Sequence, residues 1–440
     1  MLERIRQFGR RGFGIVAGGA LPLRPRRSLM FLGLVLVLLF VRSASAANFV
    51  QQAKLTPSDG ALGDGFGREV ALSASASLAA VAATDAECQA GPRCGAVYLF
   101  LRTKNSWHQQ VKLTASDATS GSELGRGIAL SADGSALLAR ARSNDCLDSA
   151  DCAVVYVFRR LQGGWRQTAS LKTSGYFWGL DYGMVALSGD GRTALVGSPG
   201  SCTGHTCGGI VHVFVRQGEK WSEEARLFES AANHFGNSVA LSRDGLMAMI
   251  GAGESEAAAT QTGIGGVFSY IKKHGVWIRN QELALPRPNP SEDQFGQVSL
   301  SGDGSTALVS SPPAGCVHEL ENPDENSYCG AVRIFSRAGG VWTDRQMLTA
   351  PGQHGGQFGD RTAISGNGAL ALILSPDSLF FSRSANTWSQ QQQLVPGSSV
   401  SLSADGRTAL VGVHHENCAG GVPCSAAYVF TVAPTRVSQD

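Results

Sequence analysis

Two twelve-residue stretches decide the fold: Asn48–Asp59 reads NFVQQAKLTPSD, and Ser106–Asp117 reads SWHQQVKLTASD. The second belongs to a series. Trp107, Trp165, Trp221, Trp277, Trp342 and Trp388 each stand six positions before a Leu, at Leu113, Leu171, Leu227, Leu283, Leu348 and Leu394. Six of the seven Trp in the chain are used this way, which scattered surface Trp would not produce. An even interval predicts that Trp and Leu share one face of a strand. In the first stretch Phe49 stands six before Leu55, as Trp107 does before Leu113. The far end of the chain, AAYVFTVAP, stops without such a strand of its own. The segment at Asn48–Thr56 is therefore expected to complete the last repeat and close a ring.

Upstream of each Trp strand lies a constant pattern. FGREVALSASASLAAVAA begins at Phe66, LGRGIALSADGSALLARA at Leu124, YGMVALSGDGRTALVGSP at Tyr182 and FGNSVALSRDGLMAMIGA at Phe235. FGQVSLSGDGSTALVSSP follows from Phe295, FGDRTAISGNGALALIL from Phe358, and a worn copy, PGSSVSLSADGRTALVGV, from Pro396. Each copy reads as two apolar strands joined by a tight turn, because Asp-Gly and Asn-Gly suit positive φ angles. A third run follows, such as GAVYLF, AVVYVF or GAVRIF. Its weak alternation suits a strand covered on both faces. Four strands, seven copies and a shared closure predict an all-β, seven-bladed β-propeller of four-stranded antiparallel blades, sealed by the N-terminal strand. Closure removes the sheet edges that invite aggregation.

Composition agrees. Charged residues make up 16% of the 440 and Gly numbers 55, which suits an all-β chain rather than a helical bundle or a disordered one. The net charge of +2 misleads, because residues 1–46 hold eight of the 37 basic residues and one of the 35 acidic ones. The body that remains has 29 against 34, a net charge of −5, and gives no electrostatic reason to expect nucleic acid. Residues 1–46 combine a basic flank, an apolar run from Leu29 to Val41 and small residues at Ala44 and Ala46. This is the layout of a secretory signal peptide cut after Ala46, on an apolar run too short to span a bilayer. Arg10-Arg11 and Arg26-Arg27 leave a twin-arginine route open beside the general one. The organisation expected is a signal over 1–46, the propeller over 47–433 and a short tail over 434–440. A secreted, periplasmic or cell-surface monomer with no stable membrane span follows.

Residues 48–432 resemble the FG-GAP repeat family, whose best-known members form the head of integrin α chains. Phe66-Gly67, Phe235-Gly236, Phe295-Gly296 and Phe358-Gly359 carry the likeness, with VGSP at Val196–Pro199 near the Gly-Ala-Pro signature. The form is similar to the secreted bacterial variant. The resemblance implies a propeller that binds or adheres. Integrin-type repeats hold calcium in an Asp-x-Asp-x-Asp-Gly loop. The equivalent loops here offer one acid each, Asp133, Asp190, Asp244, Asp303 and Asp405, with Asn367 in the sixth. Calcium takes six to eight oxygens, so a turn role is expected for these residues, and no cofactor.

All ten Cys fall between the second and third strands of a repeat, as Cys88/Cys94, Cys146/Cys152, Cys202/Cys207, Cys316/Cys329 and Cys418/Cys424. Repeats 4 and 6 lack both members. Loss in pairs, an even count and an export signal favour five local disulfides over a redox or metal set. No CxxC occurs, and two thiolates fill half a zinc shell. A bridge this short contributes roughly 2 kcal/mol at best, so it stiffens a loop more than it holds a fold.

Strand parity puts the stapled loops and the linkers between blades on one rim, and the short Asp-Gly turns on the other. Long, varied, stiffened loops favour the first rim for recognition. Residues just before the Phe-Gly positions are expected to ring the channel mouth: Glu123, Asp181, His234, Gln294 and Gln357. His414-His415-Glu416 is not expected to hold a metal, since neighbours in an extended loop point apart. No Gly-x-Ser-x-Gly, His-Glu-x-x-His or phosphate loop occurs, so no catalytic residue is named. The expectation is a non-catalytic binding or adhesion module for an extracellular protein or glycan. The alternatives are a propeller hydrolase or lyase acting at the channel, or an envelope-associated scaffold.

Overall fold

The computed structural model describes residues 48–60, 63–143, 152–173, 176–177, 184–202, 208–229, 232, 234–253, 266–283, 297–311, 330–350, 358–375, 377–414 and 425–433. Seven four-stranded antiparallel sheets are arranged as blades, and among the described residues there are strands but no helices. Blade 1 is built from Phe66–Leu72, Leu78–Ala83, Ala96–Thr103 and Ser106–Leu113, and the next five blades follow the same order. Blade 7 takes Ser399–Leu402, Thr408–Val413 and Ala426–Val432 from the end of the chain and Phe49–Leu55 from its beginning. Phe49 pairs with Val432 and Leu55 with Ala427, which is the closure expected from the repeated QQ-x-K-L stretch. A further two-stranded ribbon joins Tyr176–Phe177 to Ser201–Cys202.

The core lies between blades. Apolar clusters fill each of the seven interfaces around the ring. The Phe of Phe-Gly is the wedge. Phe66 sits among Tyr98 and Phe100 of its own blade and Leu410, Ala427 and Val429 of blade 7. Phe235 and Phe358 are fully buried in the 3/4 and 5/6 interfaces, and Leu124 does the same work between blades 1 and 2. The Gly that follows lets the first strand press against the preceding blade. At Gly67, φ is +93°, and an added Cβ would lie 2.6 Å from the Ala426 carbonyl oxygen. A side chain there would meet both the strained backbone and the neighbouring blade.

The outer strands correct one expectation. Each carries a one-residue bulge between its Trp (or Phe49) and its Leu, so that in blade 1 Gln109 pairs with Phe100 and Val111 with Leu99. The same shift occurs in the other six blades. A bulge puts one extra residue between paired positions and reverses facing beyond it. The two anchors six apart therefore face opposite ways. Trp165 packs in the 1/2 interface while Leu171 packs in the 2/3 interface. Trp342 lies between blades 4 and 5, and Leu348 between 5 and 6. Each outer strand thus grips both of its neighbours.

The Asp-Gly turns are built alike. Ser131 Oγ donates to Asp133 Oδ1 at 2.6 Å and accepts the Ala136 N–H at 2.9 Å, while Asp133 Oδ1 accepts the Ser135 N–H. Asp190, Asp244, Asp303, Asn367 and Asp405 repeat this arrangement. Each such side chain is engaged by its own turn, the short-range role such residues favour. Successive turns are also joined by backbone bonds of 2.8–3.2 Å: Ala74 to Ala132, Ala132 to Gly189, Gly189 to Arg243, Arg243 to Gly302, Asp303 to Gly366, Gly366 to Ala404, and Ala404 back to Ala74. The ring is closed by hydrogen bonds at this rim.

Candidate functional site

The first strands of the blades surround a central channel. At the rim opposite the turns it opens into a cavity of about 340 Å³ lined by Arg68, Glu69, Arg126, Arg140, Met184, Asn237, Gln297, Arg361, Ser398 and His414. In blades 1, 2, 3, 4, 5 and 7 a lining residue directly follows the Gly of the Phe-Gly position, as Arg68, Arg126, Met184, Asn237, Gln297 and Ser398. The Gly turns the chain from the linker into the strand, and the next side chain points inward. In blade 6 it is Arg361, one position further on.

Charge is unevenly spread. Four guanidiniums and one carboxylate face the cavity, and all of them come from blades 6, 1 and 2. Blades 3, 4 and 5 supply only Met184, Asn237 and Gln297. Glu69 is buried and accepts a bond from Arg361 Nη2 at 3.2 Å, across 292 positions of sequence. Burial pushes its carboxyl above the ordinary range, and the Arg361 charge opposes this. Glu69 in turn holds Arg361 more firmly in its charged form. Arg361 Nε is buried with no hydrogen-bond acceptor among the described residues.

The residues expected at the mouth fall in different places. Glu123 is 1% exposed, at φ +51°, behind the lining rather than in it. Its carboxylate binds Arg93 Nη2 and Arg126 Nε, and Arg142 lies 3.9 Å away. It therefore aims Arg126 at the cavity without facing it. His234 is exposed, at φ +52°, and is not part of the lining. Asp181, Gln294 and Gln357 lie outside the described residues, as do His415 and Glu416. The sequence signal for the true lining was the one position after Phe-Gly that varies among otherwise similar copies.

Cys88 and Cys94 are bonded, with 5.7 Å between their Cα atoms. The loop they close carries Arg93 to Glu123, and its backbone runs along the linker from blade 1 to blade 2. Leu124 N–H donates to Cys94 O and Glu123 N–H to Arg93 O, both at 2.9 Å. The staple, the linker and the cavity thus share one rim. Five bridges were expected, and among the described residues the structure shows this one. Each of the other expected bridges, Cys146–Cys152, Cys202–Cys207, Cys316–Cys329 and Cys418–Cys424, includes at least one residue outside the described ones. Cys146, Cys207, Cys316, Cys329, Cys418 and Cys424 lie outside the described residues. Cys152 and Cys202 are described only as backbone, paired in strands with Ser143 and Tyr176 respectively.

An acid–imidazole contact does exist, but elsewhere. His212 Nδ1 lies 2.7 Å from Glu223 Oε1, on the third and fourth strands of blade 3 rather than on the channel-lining first strand. The bond from Arg226 holds the Glu223 carboxyl below its ordinary range; burial opposes this, and His212 adds to it. Among the described residues no group of three His, Cys, Asp or Glu side chains comes together as a metal set. No helix there is long and apolar enough to cross a membrane.

Fold and mouth together define a seven-bladed β-propeller with a charged recess at one end of its channel. Residues 49–100 and 107–158 match the FG-GAP repeat, which is consistent with an FG-GAP repeat family assignment. No curated protein matches it by sequence. Solved structures match by shape. Hydrazine synthase of Kuenenia stuttgartiensis aligns at 14% identity and a TM-score of 0.53, over 81% of this chain and 95% of that one. The β-propeller domain of Myceliophteria thermophila Cps50 (Swd1) aligns at 9% and 0.53, over 83% and 96%. The RRP9 WD40 repeats align at 10% and 0.55, over 88% and 98%. At such identities the likeness is one of fold, and function must be argued from the site.

Proposed function

We propose that this propeller is a non-catalytic binding module, exported by its N-terminal segment and acting as a monomer on an extracellular protein or glycan. The ligand is received at the stapled rim, with the channel mouth as its anchor point. One observation carries this reading: the two ends of the channel differ. At one end the turns are short, alike and tied into a hydrogen-bonded ring. At the other, a recess of about 340 Å³ is lined by arginines from three blades and by Met184, Asn237, Gln297, Ser398 and His414 from the other four. Concave sites with a few convergent polar groups on a rigid frame are where ligands are usually held. The remaining pairs, Cys146/Cys152, Cys202/Cys207, Cys316/Cys329 and Cys418/Cys424, are proposed to stiffen the loops around that recess, as Cys88–Cys94 does.

Glycan and protein arrays probed with the mature chain test this. Alanine patches at Arg68, Asn237 and Gln297 are expected to abolish capture, and patches at Arg192, Ser305 and Arg407 in the turn rim to leave it intact. Loss of capture on the turn rim alone would overturn the assignment of the binding side. N-terminal sequencing of the exported protein is expected to begin at Ala47.

A further inference from the structure

The cavity has a chemistry that the overall composition hides. The chain beyond residue 46 carries a net charge of −5, yet the recess concentrates Arg68, Arg126, Arg140 and Arg361 around one carboxylate, Glu69. Counting Glu123 behind Arg126, positive charge still exceeds negative by two. Guanidinium groups are planar forks that match carboxylate oxygens two at a time. The Arg361 Nε–H is buried and finds no acceptor among the described residues, a state that costs free energy unless something polar reaches it.

The second feature is polarity across the recess. Around the ring, the cationic side chains occupy the arc of blades 6, 1 and 2, with Ser398 of blade 7 between them. The facing arc of blades 4 and 5 offers the amides of Asn237 and Gln297, each able to donate and accept. A ligand that fills both arcs has an acid at one end and hydroxyl groups at the other. A volume near 340 Å³ is at the small end of ligand sites, which favours a compact ligand.

We propose that the channel mouth is a receptor for a sugar acid, taken either free or as the terminal uronate of a glycan. The carboxylate lies against Arg68, Arg126 and Arg361, and the ring hydroxyls lie against Asn237, Gln297 and Ser398. Glu69 fixes Arg361 and can accept from a hydroxyl. This rests on the reading of the mouth as the ligand site and adds the class of ligand.

Calorimetry on the full mature chain tests it, with glucuronate, glucose, inorganic phosphate, a glutamate-terminated peptide and a uronate-terminated tetrasaccharide as probes. Glucuronate is expected to bind at least tenfold more tightly than glucose, phosphate and the peptide. The tetrasaccharide binding more tightly still would make the source a glycan end, and equal binding would make it the free acid. Arg68→Gln, at an exposed side chain, should weaken glucuronate at least tenfold without moving Tm. The double variant Asn237→Leu with Gln297→Leu should bring glucuronate down to the level of phosphate. Phosphate or peptide binding as tightly as glucuronate would overturn the sugar-acid class. If no acid binds while Arg68, Asn237 and Gln297 patches still abolish array capture, the ligand class fails and the site stands. If glucuronate binds and Arg68→Gln changes nothing, the sugar-acid site is not in the channel.

Discussion

The ring has two kinds of blade interface, and they occupy different halves. Between blades 4 and 5, Gln281 Oε1 accepts the Trp342 N–H at 2.8 Å and its Nε2 donates to the Trp342 carbonyl at 3.0 Å. Gln346 grips Trp388 in the same way between blades 5 and 6, and Gln392 grips Phe49 between blades 6 and 7. The positions that correspond on blades 7, 1, 2 and 3 are Ala53, Val111, Ala169 and Ala225, which have no amide to offer. Burial of the anchors follows in part: Trp342, Trp388 and Phe49 are each 3% exposed and Trp107, Trp165 and Trp221 are half-buried, while the unclamped Trp277 is buried and donates its indole N–H to Glu224 at 3.2 Å. One half of the outer wall is sewn together by side-chain amides. The other lacks this two-bond clamp on the anchor's backbone; there Gln52 accepts the Trp107 indole N–H at 3.4 Å and donates to the Asn105 carbonyl at 3.3 Å, and Gln109 and Gln167 accept the Ser58 and Ser116 N–H groups. The sewn half includes Phe49, on the strand that pairs with the chain's last strand to close blade 7.

The largest effects should be blind to this difference. The Phe-Gly wedge exists in both halves, so Phe358→Ala and Leu124→Ala should each cost several kcal/mol, about 3–5 and about 2–5 respectively, read by denaturant melts. A wedge that could be removed cheaply from either half would undermine the inter-blade core. Next is the turn ring, also common to both halves. Gly406 has φ +68°, and an added Cβ would lie 2.2 Å from Leu370 Cδ1. Gly406→Ala is expected to cost about 2 kcal/mol, as overpacking on a strained backbone.

The halves should part company at the amides. Gln346→Ala removes two bonds from a buried seam and should cost about 1–2 kcal/mol. Val111→Gln should gain up to about 1 kcal/mol if the clamp can be transplanted. Equal and negligible changes at both sites would sink the comparison. Hydrogen exchange gives a finer reading: the Trp342 and Trp388 amides should exchange more slowly than those of Trp165 and Trp221. Uniform protection around the ring would mean that the clamps do not control local opening.

The smallest effect is with pH, and it again should treat both halves alike. Asp133 in blade 2 and Asp303 in blade 5 have carboxyls held below the ordinary range. Burial works against this, but bonds from the turn serines and from the Ser135 and Ser305 N–H groups prevail. A depressed folded value means that the unfolded chain takes up protons first. The stability these turns contribute is therefore complete above the ordinary Asp range near 3.9 and is lost as pH falls through the folded values. Asp133→Asn and Asp303→Asn should each flatten the acid limb of a stability–pH curve, and by similar amounts.

Much of this was open to reading from residues. Strand type and turn positions followed from alternation and from Ser-x-Asp-Gly, and the wedge from Phe-Gly. Other features were not. The spacing of six between Trp165 and Leu171 reads as one face, yet a bulge turns them to opposite blades. A bulge that occurs in every copy leaves the spacing constant and so leaves no trace in it. Glu123 precedes the Phe-Gly position, where the channel was expected, but three guanidiniums draw its carboxylate behind the lining. The mouth is lined by the residue after the Gly, because the left-handed backbone there redirects the chain inward.

By itself the sequence determined blade number, strand order and ring closure, since each depends on a short pattern repeated along the chain. Asn48–Asp59 could be matched to its partners by likeness alone. The tertiary structure decided which face each anchor takes, which side chains meet in the channel and where the amide clamps fall. Those depend on atoms brought together across long separations, 292 positions for Arg361 and Glu69 and 343 for Gln392 and Phe49. A local pattern carries no record of such meetings. They are set by the bulge, by the approach that Gly permits and by the balance of burial against charge.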